Sequence, residues 1–275
     1  MAFGDLTRIN TNIQSLQALN SFQRTNNEIG NRQLRLATGK RINRAEDDSA
    51  GFNIAAKLSS RVRGQTQALA NIGDAKSSLT VAEGSLGSVM EILQTMKEKT
   101  VQAANDTLGS SERTAIDNQL TALSSEITDT LSGTTFNGMA LFTSGAFNFQ
   151  VGAESGDSFA VTVGTMSVSQ LGVATGSIDV SSASAATGLL GTIDTAISTI
   201  ATKLGSIGDS QKRLTFKQDN LSTAITNNEA ARSRIEDADF AKEQMSITKL
   251  QILQQTGIAS LAQANSAPQS VLSLF

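Results

Sequence analysis

Apolar residues return in alternating steps of four and three along two long stretches of this chain. In the longer stretch the pattern runs unbroken from Ile193 to Ile235. A repeat of about 3.5 residues is slightly shorter than the roughly 3.6-residue turn of a straight helix, so the pattern predicts a long α-helix that supercoils around a partner. Its seam consists of Ile193, Ile197, Ile200, Leu204, Ile207, Gln211, Leu214, Gln218, Leu221, Ile225, Asn228, Arg232 and Ile235.

The same spacing in the first half of the chain predicts a second long helix. Its seam consists of Leu69, Ile72, Ala75, Leu79, Ala82, Leu86, Val89, Leu93, Met96, Thr100 and Ala103. Asn43 and Glu46 have the spacing of a helix cap, so we expect the helix to begin near Asn43 and to end between Asn105 and Ser110. Two such helices side by side predict a rod.

Shorter apolar patterns predict helices at both ends and after the second seam. The first terminal pattern contains Leu6, Ile9, Ile13, Leu16, Leu19, Phe22 and Ile29, and the last contains Met245, Ile252, Leu253, Ile258 and Leu261. Because neither pattern makes a strong helix alone, we expect the two terminal helices to pair with each other. Between them, Ser110 or Ser111 can cap a third helix, and Gly133 should close it. A charged break from Arg232 to Phe240 should precede the last helix.

The middle of the chain is rich in Gly, Ser and Thr and carries two short alternating runs. Phe147, Phe149 and Val151 alternate with polar residues, as do Phe159, Val161 and Val163, and a turn-like segment separates the two runs. They predict a β-hairpin with one apolar face that packs on the helices. Residues Gly172 to Gly188 predict a loop. The expected fold is mainly α: a long antiparallel coiled-coil bundle with a small central β-hairpin.

The composition excludes several classes of protein. The chain contains no His and no Cys, so it has no imidazole base and no Cys or His metal site. All eleven aromatic residues are Phe, whereas an enzyme of this length normally uses Trp and Tyr in its core and pockets. A net charge of −3 without a basic stripe does not favour nucleic-acid binding. We predict a protein that is not an enzyme and uses no cofactor or metal.

Two acidic clusters are the remaining candidates for acid–base chemistry or cation binding. They consist of Asp47 with Asp48, and of Glu236, Asp237 and Asp239 near Arg232 and Arg234. Ala241 and Lys242 follow the second cluster where a calcium loop would need oxygen ligands, so helix starts explain the acidic residues better. The two Arg side chains have two open interpretations, local ion pairs and contacts with another subunit.

The first thirty residues lack a basic start, an apolar stretch and a small-residue cleavage site. No apolar run reaches the ~18 residues that a membrane-spanning helix needs. We therefore expect neither a membrane span nor a cleaved secretory signal. If the protein leaves the cell, we expect another route to carry it.

Two sets of short motifs lie in the first and last parts of the chain. The first set is Ile9–Asn12, Ala37–Asn43, Asp47–Gly51 and Val101–Asn105. The second set is Phe136–Gly138, Ser233–Ala241, Ile252–Gln255, Gln263–Asn265 and Val271–Leu274. In this order, and over nearly the whole chain, the motifs resemble those of bacterial flagellins.

The resemblance implies a structural subunit that polymerises into the flagellar filament. Residues 1–36 with 237–275 would form an inner coiled coil, residues 44–132 with 190–232 a helical rod-like shell, and residues 133–189 a hairpin and loop region on that shell. The central region is too short for the extra outer domains of larger members, which implies a minimal flagellin. An alternative within the superfamily is a hook-filament junction protein, but the match at Ser233–Ala241 favours flagellin.

The resemblance also implies partners and a location. The main partner would be the chain itself in a helical homopolymer. Further partners would be the filament cap protein, the hook-associated junction proteins, the flagellar export apparatus and an export chaperone, with no nucleic acid and no insertion into a membrane. The expected location is the extracellular filament, reached without a cleaved signal peptide.

Three groups of residues are the candidate sites. For the inner coiled coil and subunit packing they are Leu6, Ile9, Ile13, Leu16, Leu19, Phe22, Ile29, Met245, Ile252, Leu253, Ile258 and Leu261. For the core seam of the shell they are Leu69, Ile72, Leu79, Leu86, Leu93, Ile193, Ile197, Ile200, Leu204, Ile207, Leu214 and Leu221. For polar contacts between subunits they are Asp47, Asp48, Arg232, Arg234, Glu236 and Asp237.

One further expectation concerns recognition by the host. In many flagellins a Toll-like receptor that senses bacteria binds the segment matching Leu93 to Val101, and such members usually carry Arg where this chain has Thr95 and Leu where it has Lys99. A further acidic position is Gln119 here. We predict weak or absent recognition.

Overall fold

The computed structural model describes residues 11–143 and 146–272, and most of these residues are helical. The long helices are α1 (Ile13–Thr38), α2 (Ser49–Ala103), α3 (Ser110–Gly133), α4 (Ala183–Glu236) and α5 (Phe240–Leu272). Between α3 and α4 lie two antiparallel hairpins, β1 (Thr135–Phe136) with β2 (Met139–Ala140) and β3 (Phe147–Gln150) with β4 (Ser158–Val161), and a short 3-10 helix at Thr175–Ser177. The predicted fold class, mainly α with antiparallel helix pairs and a small β-hairpin, is confirmed.

The chain divides into two compact units. The terminal unit contains the chain up to Ser60 and from Asn227 onward, and the central unit is Arg61–Thr226. Helices α2 and α4 contribute residues to both units. The three-part domain division expected from the resemblance stays a prediction. Among the described residues, no helix is both long and apolar enough to cross a lipid bilayer.

In the central unit, α2 and α4 run antiparallel and their two heptad seams form the core. Lys76 Nζ donates to Gln218 Oε1 at 3.3 Å, and Lys97 pairs with Asp194 at 2.6 Å, which fixes the relative direction of the helices. The buried seam residues are Ile72, Leu79, Leu86, Leu93, Ile193, Ile200, Ile207, Leu214 and Leu221. Leu69, Ile197 and Leu204 are partly buried against them.

The remaining elements of the central unit cover this core. Helix α3 buries Ile116, Leu120, Ile127 and Leu131, and Ser85 is 2.7 Å from Thr134 at its end. The predicted hairpin is confirmed: Phe147 pairs with Val161 and Phe149 with Phe159, so alternate side chains face the helices. The sequence pattern did not predict the smaller hairpin β1–β2. It turns at Asn137 and Gly138, whose positive φ angles of 50° and 76° suit a tight two-residue turn.

Helices α1 and α5 lie antiparallel in the terminal unit, as the sequence predicted. Arg32 contacts Glu243 near one end, Gln254 donates to Asn26 in the middle, and Asn12 donates to the Ala264 carbonyl near the other end. Helix α1 ends at Gly39, whose φ of +69° places it in the left-handed region that a glycine adopts without strain.

Two predicted helix caps are wrong. Helix α2 begins at Ser49, and Asp48 Oδ1 accepts from Gly51 N at 2.9 Å, so Asp48 and not Asn43 caps it. The N–H of Asn43 instead donates to Asp47. Helix α3 begins at Ser110 after Gly109, which makes no side-chain cap, so neither Ser110 nor Ser111 is its cap. Its predicted end at Gly133 is confirmed.

Two predicted breaks are shorter than expected. The loop predicted for Gly172 to Gly188 is wrong in its second half, because α4 already begins at Ala183, where Ser182 Oγ accepts from Ala185 N. The charged break predicted between Arg232 and Phe240 contains only residues 237–239. In both cases the helix continues through polar residues. Such residues occur in helices as well as in loops, so their presence alone did not mark a break.

Candidate assembly surface

The α1–α5 pair has few buried apolar contacts. Among its described side chains, the buried hydrophobic residues are Ile29 and Ile247, with 8% and 5% of their surfaces exposed. Further along, Phe22 packs beside Gly257, where an added Cβ would lie 3.7 Å from the Phe ring. Amides fill much of the remaining seam, including the 2.6 Å hydrogen bond from Gln254 to Asn26. The pair is therefore weakly held by its own apolar core.

Helix α5 carries a second heptad seam on the face opposite α1. Every residue of this seam is exposed: Ala241, Met245, Thr248, Ile252, Gln255, Ala259, Ala262 and Ser266. Met245 is 66% exposed and Ile252 is 59% exposed. A helix with two heptad seams can pack against helices on both sides.

Helix α1 has a comparable outward seam. It contains Ile13, Leu16, Asn20, Gln23, Asn27, Gly30 and Leu34, all of them exposed. We call this seam and the outward seam of α5 the outer seams. Apolar residues lie at the ends of the α1 seam, and amides lie in its middle. Among these apolar residues, Leu16 has 64% of its surface exposed. Exposed apolar surface of this kind is typical of an interface.

Charge is absent from much of this helix pair. Neither residues 9–23 nor residues 250–275 contain an Asp, Glu, Lys or Arg. Copies of the pair can therefore approach one another without electrostatic repulsion and without removing charges from water.

The charged residues of the pair collect near the loop between α1 and α2. Glu243 is buried and accepts from Arg32 at 2.9 Å, while Arg35 lies 3.7 Å from it and 3.4 Å from Asp47. The hydrogen bond to the Glu243 carboxylate raises the pKa of the Arg32 guanidinium. A buried carboxylate with two Arg partners fixes the register of the two helices at this end.

The loop from Gly39 to Asp48 is fastened to the break between α4 and α5. Lys40 forms a β-bridge with Asp237, and its Nζ lies 2.5 Å from Glu236. The Arg41 N–H donates to the Glu236 carbonyl at 2.6 Å. Within the loop, the backbone N–H groups of Arg44 and Asn43 donate to Asp47 and lower the pKa of its carboxyl group.

The predicted packing residues occupy different environments. Leu6 and Ile9 lie outside the described residues. Phe22 and Leu261 are half-buried, and the side chain of Ile29 is buried against α5. The exposed candidates are Ile13, Leu16, Leu19, Met245, Ile252, Leu253 and Ile258. Their role in subunit packing stays a prediction.

The predicted polar contacts are mostly engaged within one subunit. Asp47, Asp48 and Glu236 have the partners described above, and Arg232 pairs with Glu229 at 2.8 Å. In the part of the chain that the structure describes, the side chains of Arg234 and Asp237 make no hydrogen bond or ion pair. These two residues are therefore the remaining candidates for contacts with another subunit.

Glu243 and the heptad spacing of the second α5 seam were not predicted from the sequence. The four-and-three spacing of that seam is visible in the sequence, but its small residues obscure the signal. No pattern in the sequence indicates that Glu243 meets Arg32, because 211 residues separate them. Among the described residues, no group of His, Cys, Asp and Glu could hold a metal ion. The arrangement is suited to protein–protein packing.

Comparison with known families agrees with this geometry. Residues 9–146 match the bacterial flagellin N-terminal helical region, and residues 190–275 match the bacterial flagellin C-terminal helical region. The chain belongs to the bacterial flagellin family. This flagellin is therefore a structural subunit of the bacterial flagellar filament.

Curated relatives match the flagellin over almost their whole length. A flagellin of Halalkalibacterium halodurans is 35% identical over 97% of this chain and 99% of its own. Flagellin FlaB1 of Treponema pallidum is 34% identical with the same coverage. A flagellin of Bacillus subtilis is 35% identical over 98% of this chain and 99% of its own.

Solved structures show the same fold. The crystal structure of Bacillus cereus flagellin is 27% identical, with a TM-score of 0.50, and the match covers 59% of this flagellin and 94% of that chain. A putative flagellar hook-associated protein of Vibrio parahaemolyticus gives a TM-score of 0.58 at 16% identity, over 70% of this chain and 100% of its own. That second likeness shows a shared fold only and does not favour the junction-protein alternative.

Proposed function

We propose that this flagellin polymerises through the outer seams of α1 and α5, which pack against the same helix pair in neighbouring copies and form the inner tube of the filament. The single observation that supports this proposal is the exposure of apolar seam residues such as Leu16, Met245 and Ile252 on the terminal unit. A neighbouring helix with matching spacing covers such residues as knobs in holes.

The energetic reason is the burial of apolar surface. Burying one exposed Leu, Ile or Met side chain stabilises a contact by about 1.5–3 kcal/mol. Each subunit offers several such side chains, and the uncharged distal halves of the helices add no repulsion. The outward faces of α1 and α5 differ, so contacts between them are heterologous and continue into an open helical polymer.

Arg234 and Asp237 supply candidate polar contacts in the same assembly. Both side chains are exposed and make no contact within the described part of their own subunit. A charge pair at the edge of an interface contributes more to orientation than to affinity. We assign these residues the role of orienting one subunit on the next.

The partners other than the chain itself are inferred from the family. We propose that the subunit travels unfolded through the flagellar secretion channel with the help of an export chaperone. It then adds to the filament beneath the cap protein, above the hook-associated junction proteins. The weak apolar core of the α1–α5 pair supports this route, because a pair with little internal stability unfolds readily for export.

Seeded polymerisation tests the assembly surface. Purified monomer added to filament fragments should grow into long uniform filaments, seen by negative-stain electron microscopy. Replacing Met245 and Ile252 by Ser should prevent growth at concentrations where the unaltered chain polymerises, because the α5 seam then loses its largest apolar side chains. Long filaments from this variant would contradict the proposal.

A matched control separates this surface from general apolar exposure. Val81 and Val101 are 42% and 54% exposed in the central unit, so their replacement by Ser changes a similar type of side chain elsewhere. Filaments should still form from this control. Discrete short oligomers from the unaltered chain, instead of filaments, would support the junction-protein alternative.

A further inference from the structure

Four cations lie on one stretch of α4 in the central unit without a carboxylate partner. We call Lys203, Lys212, Arg213 and Lys217 the basic strip. Asp209 is the only acidic residue between its first and last members. In the described part of the chain, none of the four cations forms an ion pair. The strip is therefore a local excess of positive charge on a chain whose net charge is −3.

Aromatic rings hold three of these cations in place. The Arg213 guanidinium lies 4.6 Å from the ring centre of Phe159, and Lys217 Nζ lies 5.8 Å from the same ring. Lys212 Nζ lies 5.3 Å from the ring of Phe216, which is itself 57% exposed. Ordering of this kind lowers the entropy that the cations lose when they meet an anionic partner.

Helix α3 has the opposite charge. Its acidic face consists of Glu112, Glu126 and Asp129, all of them exposed, whereas Asp117 is partly buried. None of these carboxylates forms an ion pair with a described residue. The one cation of α3, Arg113, is buried and donates to the carbonyls of Ala103 and Asn105 at the end of α2. It therefore does not neutralise the acidic face.

Lys212, Arg213 and Lys217 lie at a different level along α2 from the acidic residues of α3. Glu83 accepts from Gln211, so the basic strip lies near the middle of α2. Thr134 contacts Ser85, and Arg113 contacts Ala103, so α3 extends from that level toward the far end of α2. At about 1.5 Å per helical residue, the acidic face begins roughly 10 Å from Lys212 along the helix axis and ends roughly 35 Å from it. Lys212, Arg213 and Lys217 are therefore too far along the axis to pair with these carboxylates within one subunit, and Lys203 forms no ion pair with a described residue.

We propose that the basic strip on α4 of one copy binds the acidic face of α3 on a neighbouring copy. This inference deepens the proposed polymerisation and depends on it. If a neighbouring copy is displaced along the helix axis, its acidic face comes to the level of the basic strip of the first copy. Because the two surfaces differ, the same contact repeats from copy to copy. Complementary charge of this type mainly increases the association rate and selects the register.

Charge reversal on each surface, followed by mixing, tests the contact. Lys212→Glu with Lys217→Glu places acidic side chains on both surfaces, and Glu126→Lys with Asp129→Lys places basic side chains on both. Each double variant alone should elongate seeds about tenfold or more slowly than the unaltered chain, because like charges then face each other. An equimolar mixture of the two should recover growth, because each variant then offers the surface that the other lacks.

Growth of either double variant alone at the unaltered rate, or failure of the mixture, would overturn the contact. Failure of the mixture together with tight binding of the unaltered monomer to a polyanion such as heparin would assign the strip to an anionic polymer. Failure of the unaltered chain to elongate seeds would instead overturn the proposed function. These results are distinguishable because the unaltered chain is measured in the same experiment.

Two controls exclude other causes. Arg63→Glu with Lys99→Glu makes the same change in net charge at cations on α2 and should elongate seeds normally; an equal loss there would attribute the effect to net charge and overturn the proposal. Lys217 also packs on the Phe159 ring, so its replacement changes a contact within the subunit. Thermal unfolding of each monomer, followed by circular dichroism, therefore checks that a slowly growing variant is still folded. The uncharged pair Lys212→Gln with Lys217→Gln should give an intermediate elongation rate, and an unchanged rate would contradict the contact.

Discussion

At the scale of single residues, the charged side chains near the loop between α1 and α2 are the best-defined feature of the terminal unit. Glu243 is buried between Arg32 and Arg35, and Asp47 binds two backbone N–H groups of its own loop. Bonds to charged groups are stronger than those between neutral groups. They give this end of the α1–α5 pair charged contacts that the uncharged distal end lacks.

Asp47 makes the stability of this loop depend on pH. Its pKa in the folded chain is lowered below the ordinary value of 3.8 by the N–H groups of Arg44 and Asn43. The carboxylate therefore stabilises the fold above that value, and the contribution is lost as the pH falls through the lowered folded pKa. Asp47→Asn should reduce the free energy of unfolding at neutral pH by about 1 kcal/mol or less, since the side chain is partly exposed.

Urea unfolding followed by circular dichroism at neutral and at strongly acidic pH measures this difference. The gap between the unaltered chain and the variant should close in acid, where both carry an uncharged side chain. Asp106→Asn is the control, because the Asp106 carboxylate accepts no hydrogen bond from the described residues. A gap that persists unchanged in acid would contradict the assignment.

A further prediction at the residue scale concerns host recognition. Thr95 and Gln119 are exposed, and Lys99 is half-exposed, so all three side chains are accessible. We expect the monomer to activate a receptor reporter weakly, and Thr95→Arg with Lys99→Leu to increase its potency. Potent activation by the unaltered monomer would show that these positions do not limit recognition.

At the scale of elements, the central unit is stabilised by two complete heptad seams. Leu86 is fully buried between α2 and α4, whereas Val101 on the same helix is 54% exposed. A helix pair whose seam excludes water in this way is stable without further partners, in contrast to α1 and α5.

Truncations at these two positions should differ clearly. Leu86→Ala removes packed atoms from a closed core and should lower the free energy of unfolding by about 2–5 kcal/mol. Val101→Ala should change it by about 0.5 kcal/mol or less, because its side chain is largely in water. Chemical unfolding of the monomer measures both, and equal effects would show that the α2–α4 seam is not the main core.

At the scale of the whole molecule, assembly requires both terminal helices. Deletion of residues 237–275 removes α5 and leaves α1 without its partner. The central unit keeps its own core, so the truncated chain should remain soluble, helical and monomeric in analytical ultracentrifugation. It should not elongate seeds. Filaments formed by this truncated chain would show that the terminal unit is dispensable for polymerisation.

The sequence by itself determined the elements with strong periodicity. The seams of α2 and α4 and the pairing of the hairpin follow from local spacing, because a 3.5-residue or two-residue apolar repeat stabilises one type of backbone. The end of α3 at Gly133 follows from the low helix propensity of glycine. The motifs at the two ends also indicated the family, since their order extends over nearly the whole chain. These features depend on residues that are close in sequence.

Only the tertiary structure decided the features that depend on distant residues or on small energy differences. Asp48 and not Asn43 caps α2, because several nearby side chains can cap and differ by only about 1 kcal/mol. Glu243 meets Arg32 across most of the chain, and no local pattern encodes that contact. Whether an apolar seam is covered or exposed likewise depends on which helices pack beside it. The outer seams and the unpaired basic strip are therefore visible only in the folded chain.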